Sequence, residues 1–191
     1  IFTPADAGLL KERRKLTVGR HPSALLLDKS GSRLFVASAS TNSIAVVDTK
    51  TARVVAKLLD PPPAGPNQGS TPNALALSND GSRLYVAEAD SNAVAVFQLS
   101  NARLIGRIPV EWYPTALLFT GESLLVLNSK GKGTRANPQF PTPDVKMPDD
   151  SHDYTLGQLN GTVTTIPTNI NLAELSARVA RANNWTRIQP K

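Results

Sequence analysis

Short apolar runs alternate with small polar clusters along this chain, at a spacing that suits strands. Ala24 to Leu27, Leu34 to Ala37, Ile44 to Val47 and Val54 to Leu58 are aliphatic, β-branched or aromatic. Between them stand Lys29-Ser30-Gly31-Ser32, Ser40-Thr41-Asn42-Ser43 and Thr49-Lys50-Thr51-Ala52, compositions that mark turns. The pattern predicts four short strands joined by hairpins. Gly31 and Gly81 fall where a tight hairpin needs a positive φ, which glycine adopts without a Cβ clash.

The pattern is then copied. His21-Pro22 through Gly31-Ser-Arg-Leu-Phe-Val-Ala37, with Thr41-Asn42-Ser-Ile-Ala-Val-Val-Asp48, returns as Thr71-Pro72 through Gly81-Ser-Arg-Leu-Tyr-Val-Ala87, with Ser91-Asn92-Ala-Val-Ala-Val-Phe97. A more worn copy runs Tyr113-Pro114 through Gly121 to Val126. Gly81 and Gly121 are forty positions apart, the length of one four-stranded blade. Gly31 and Gly81 are fifty apart, and the surplus lies in Asp60-Pro-Pro-Pro-Ala-Gly-Pro-Asn-Gln-Gly69. Proline donates nothing to a ladder, so this segment reads as a loop between blades. The third copy breaks off at Asn128 and resumes at Gly161-Thr-Val-Thr-Thr-Ile166, leaving residues 128–160 as an insertion. A small antiparallel sheet cannot bury both faces alone, and radial stacking of such sheets makes a β-propeller.

The fold class expected is therefore all-β: about three four-stranded antiparallel blades and a C-terminal amphipathic helix. The blades are placed at about 17–60, 69–109 and 113–167 within a partial propeller spanning 1–167. Residues 168–191 are read as a helical linker toward a missing downstream domain. Asn171-Leu-Ala-Glu174 has the form of a capping box, and Leu172, Leu175, Val179 and Ala182 share one helical face, so a helix is predicted over 172–184.

The repeats, with Leu34-Phe-Val-Ala37 and Leu84-Tyr-Val-Ala87 at the naming tetrapeptide, resemble the YVTN-type β-propeller repeat. Asn128-Ser-Lys-Gly-Lys-Gly133, Asn137-Pro138 and Leu159 to Pro167 resemble the last blade of a bacterial two-domain family. In that family a propeller precedes an alkaline-phosphatase-like phosphoesterase domain. The resemblance implies a ring of about seven blades. It also implies a periplasmic or extracellular location and a chain that is a fragment of a longer protein.

Composition narrows the chemistry. Cysteine is absent, which excludes disulfides, thiolate catalysis and thiolate metal sites. No apolar run is long enough to span a membrane as a helix. The net charge is +6 and the pI about 9.8, with basic runs at Lys11 to Lys15 and Lys130 to Arg135. Such a surface attracts polyanions. However, the few aromatic residues are not interleaved with basic ones as a nucleic-acid stacking platform requires, so nucleic acid is disfavoured as a partner.

Candidate sites are few. His21 precedes a proline, but its counterparts in the other copies are Thr71 and Tyr113, so it reads as a structural residue leading into a strand. Asp149, Asp150, His152 and Asp153 offer ligands of a kind that could hold a metal, without the glycine hinge or distal Glu of an EF-hand. Lys130, Gly131, Lys132, Gly133 and Arg135 could form an anion- or domain-contact loop, the glycines freeing backbone amides and the cations adding charge. No catalytic residue is assigned, and no cofactor is implied.

The expected function is a non-catalytic scaffold or binding module attached to a phosphoesterase domain. The partners expected are further blades and that domain, or a second copy of the chain, since an open stack leaves apolar faces that drive dimerisation or aggregation. The alternatives are a lactonase-like propeller hydrolase, for which the repeat loops offer only Ser38, Ser40, Glu88 and Asp90, and a surface-layer or adhesion repeat.

Overall fold

The computed structural model describes residues 2–4, 10–12, 14–63, 69–133 and 159–185. A short antiparallel pair opens the chain, β1 (Phe2–Pro4) with β2 (Leu10–Glu12). Sequence reading missed this pair, because its strands are three residues long and show no alternation. Three larger antiparallel sheets follow in strict chain order. The first contains β3 (Pro22–Leu27), β4 (Arg33–Ser38), β5 (Ser43–Asp48) and β6 (Arg53–Leu59). The second contains β7 (Pro72–Leu77), β8 (Arg83–Glu88), β9 (Ala93–Gln98) and β10 (Arg103–Pro109). The third contains β11 (Pro114–Thr120), β12 (Ser123–Asn128) and β13 (Thr162–Pro167), and then comes α1 (Leu172–Ala182).

Strands β3, β7 and β11 touch in sequence, so they form the inner edge, and β6 and β10 lie outermost. This is a run of three propeller blades. The hairpin glycines Gly31, Gly81 and Gly121 take φ of 71°, 69° and 63°, as their place in the repeat predicts. Each inner strand also carries a register shift directly after its leading proline, at Pro22/Ala24, Pro72/Ala74 and Pro114/Ala116. The repeat therefore preserves even its irregularity.

Two apolar clusters glue the blades. Phe35, Ala37, Ile44, Val46 and Leu58 of the first blade meet Leu75, Leu84, Val86, Ala95 and Phe97 of the second. On the other face of the second blade, Ala76, Tyr85, Val94, Val96 and Ile108 meet Leu124, Val126 and Ile166 of the third. The Tyr85 and Phe119 rings pack edge to face there, with centroids 5.0 Å apart.

The two outermost blade faces stay open. Leu25 is 69% exposed on the first, and Leu118 and Val163 are 60% and 63% exposed on the third. Leu118, Leu127 and Val163 hold the register positions that Leu26, Ala37 and Ile44 hold in the first blade, where they pack against a neighbour. Leu16 and Val18 cover part of the first blade's open face by packing on Val36 and Val47.

The three sheets bear out the expected run of antiparallel blades, the third having three strands among the described residues. After Pro167 the chain turns into α1. The Asn171 side chain accepts from the Glu174 amide at 3.3 Å, as the capping pattern predicts. The helix packs along β10 of the second blade, and its Val179 is buried. Gly106 makes this approach possible, because a Cβ there would lie 2.6 Å from Leu172 Cγ and Ser176 Oγ. No helix among the described residues is long and apolar enough to cross a membrane.

Candidate functional site

One face of the blade stack collects the turns between second and third strands and the segments leading into each inner strand. The same pair of backbone bonds joins them in every blade. Ala39 and Ser40 donate to the His21 and Arg20 carbonyls at 2.9 and 3.3 Å. Ala89 and Asp90 donate to Thr71 and Ser70 at 3.1 and 3.2 Å, and Ser129 and Lys130 to Tyr113 and Trp112 at 3.0 and 3.1 Å. His21, Thr71 and Tyr113 all sit at positive φ, 55°, 55° and 61°. His21 thus occupies the same strained position as its two counterparts.

The repeated asparagines bind neighbouring blades together. Asn42 and Asn92 adopt left-handed φ of 43° and 49°. Asn42 Oδ1 accepts from the Ser70 and Thr71 amides at 3.0 and 3.3 Å, and Asn92 Oδ1 from the Tyr113 amide at 2.9 Å. Their carbonyls accept from Asp60 and Val110 in the same crossing. His21, Ser40, Asn42, Gly69 and Thr71 line a shallow polar pocket of about 220 Å³ here. The Thr71 hydroxyl donates to the Asp90 carboxylate at the edge of this face.

The loop beginning at Ser129 lies on the same face. The Lys130, Gly131 and Gly133 amides donate to Trp112, Asn128 and Lys130 carbonyls, so these three are turned inward. The Lys130 ammonium stands 4.2 Å from the Tyr113 ring centroid. Lys132 is exposed between the two glycines. Arg135, Asp149, Asp150, His152 and Asp153 lie outside the described residues. Among the described residues no group of three His, Cys, Asp or Glu side chains could hold a metal.

Sequence reading missed the main electrostatic feature. Asp60, Glu88 and Ser70 are fully buried and Arg107 nearly so, at the junction of the first two blades beneath the end of α1. Arg107 Nε donates to Glu88 Oε1 and Oε2 at 2.8 and 2.9 Å. Its Nη2 reaches Asp60 Oδ1 at 3.5 Å and the Pro61 carbonyl at 3.2 Å. Ser70 Oγ lies 3.2 Å from Asp60 Oδ2 and also donates to the Asp60 carbonyl. The Trp185 ring closes the site 5.1 Å from the guanidinium. Ser176 of α1 bonds the Arg107 backbone at 2.8 and 3.3 Å, and Asn183 reaches the Ser91 carbonyl. Burial raises the Glu88 carboxyl, and Arg107 counters part of that. The Asp60 carboxyl rises well above its ordinary range, first from burial and then from the charge of Glu88. Glu88 was among the four residues considered for a lactonase-like channel, but here it faces inward. Its Arg107 partner lies on an outermost strand, away from the inner edge.

A stack of four-stranded blades with shared turn geometry defines a β-propeller protein. The chain belongs to the family described as "Lactonase, 7-bladed beta-propeller", whose pattern it matches over residues 4–111. A Lactobacillus plantarum protein of known crystal structure is 27% identical with a TM-score of 0.56, the match covering 67% of this chain and 41% of that one. Hydrazine synthase of Kuenenia stuttgartiensis is 26% identical with a TM-score of 0.52, over 62% of this chain and 32% of that one. No curated protein matches the sequence. The chain spans less than half the length of these solved structures, so their activities are not carried over.

Proposed function

We propose that this chain contributes three consecutive blades to a larger propeller and serves as a non-catalytic scaffold or binding module. The supporting observation is where its acid and base groups go. Asp60, Glu88 and Arg107, the strongest ionisable constellation among the described residues, hold one another between blades rather than opening onto the inner edge. The turn face, with its linking amides already bonded, offers side chains for contact. The resemblance of the last blade to propeller–phosphoesterase proteins supports an exported protein in which that face or α1 meets a phosphoesterase domain.

A second reading, a lactonase-like hydrolase, is favoured by the family match itself. The two are separated by assaying the natural gene product that carries this chain against sugar and aliphatic lactones, with and without divalent ions. Hydrolysis at the buffer rate supports the scaffold. Saturable turnover that is lost on Thr71→Val or Asp90→Asn overturns it and establishes the hydrolase.

A further inference from the structure

We propose that Asp60, Glu88 and Arg107 form a proton-gated latch joining the first two blades to the end of α1, closed while the two carboxyl groups share one proton and released when it is lost. The geometry carries the inference. Asp60 and Glu88 are both fully buried, and a single guanidinium, that of Arg107, reaches both carboxyl groups. Two ionised carboxylates against one cation would bury an uncompensated negative charge, so one of the two holds a proton. Arg107 gives both of its shortest contacts to Glu88 and only a 3.5 Å contact to Asp60. Glu88 is therefore the ionised partner and Asp60 the protonated one. With that proton the site is neutral, and without it a net negative charge is left where no water reaches.

Among the described residues, two charged groups act on Asp60. Glu88 comes from β8 and Arg107 from β10, and these are the charged groups that face it. The other neighbours are uncharged: Ser70, the Asn42 turn, and Trp185 at the end of α1, which faces Arg107. Burial of Asp60 and the charge of Glu88 both raise the Asp60 carboxyl, in agreement with the geometric assignment.

An unfolded Asp loses its proton near pH 3.9, while the native latch keeps it. Above that pH the native state binds one proton more than the unfolded chain, so this group's share of the folding constant falls about tenfold per pH unit until the native proton leaves.

The test uses the full chain carrying Trp112→Phe, with Trp185 emission followed through urea unfolding from pH 5 to 9. The expected result is a folding constant that falls with rising pH about tenfold per unit more steeply than in Asp60→Asn. Glu88→Gln should remove the excess slope as well, because Asp60 then ionises opposite Arg107. Parallel pH profiles for the parent and Asp60→Asn would overturn the latch. Should Asp60→Asn fail to fold, infrared spectroscopy of the parent decides the matter. A protonated-carboxyl band at neutral pH that Glu88→Gln removes supports the latch, and the absence of such a band sinks it.

Discussion

Replacing Gly106 with alanine tests whether α1 is a structural part of the propeller. The added Cβ would lie 2.6 Å from Leu172 Cγ and from Ser176 Oγ, where ordinary contact begins at 3.4 Å. The helix must therefore back away by roughly 0.8 Å, measured against that contact limit. Complete detachment would expose Val179, at a cost of about 2 kcal/mol. It would also break the two Ser176–Arg107 bonds, at about 1 kcal/mol each. A shift is the cheaper response, and overpacking of this kind costs about 1–3 kcal/mol. Urea unfolding measures that loss, and hydrogen exchange over Leu172–Ala182 should accelerate. Gly121→Ala is the control, since its φ of 63° strains a side chain but nothing lies within 4 Å. It should lose about 1 kcal/mol while leaving exchange in α1 unchanged. If Gly106→Ala leaves both stability and exchange in α1 unchanged, the helix does not rest on β10 in solution.

Two further outcomes are expected. Asp28 is held below its ordinary range: burial opposes this, but bonds from the Arg33 backbone and side chain, from Ser30 and from Ser32 outweigh it. A depressed carboxyl adds stability above about pH 4 that fades as pH falls, so Asp28→Asn should lower neutral stability and flatten the acid limb of an unfolding-versus-pH curve. The open blade faces should make the chain associate with rising concentration. Leu118→Asp combined with Val163→Asp should reduce that association in light scattering, whereas equal association would place the contact elsewhere.

The blade strands were legible because apolar runs and one hairpin glycine recur in each blade, while β1 and β2 carry no such mark. Even β13 could be found across its long insertion by aligning Gly161 to Ile166 with the second blade. The charged latch was not legible, because its members are separated in sequence and none carries a local signal. Asp60 opens what reads as a proline-rich loop, and Glu88 stands where the first blade has Ser38. Arg107 and Lys57 pair with Ala95 and Ala45 at matching positions, yet Lys57 is exposed and Arg107 is buried. The difference is α1, which lies on β10, and a repeat comparison cannot see a helix arriving from seventy positions further along.

The paired bonds between each turn and the segment leading into the inner strand fix the backbone of that face through main-chain groups alone. At matching places the three blades display His21 with Ser40, Thr71 with Asp90, and Tyr113 with Lys130. One rigid frame thus presents an imidazole beside a hydroxyl, then a hydroxyl beside a carboxylate, then a phenol ring beside an ammonium group. Mutation can rewrite any facet without disturbing the scaffold beneath it, which makes this surface a place where binding preference can diverge between relatives while the fold stays constant.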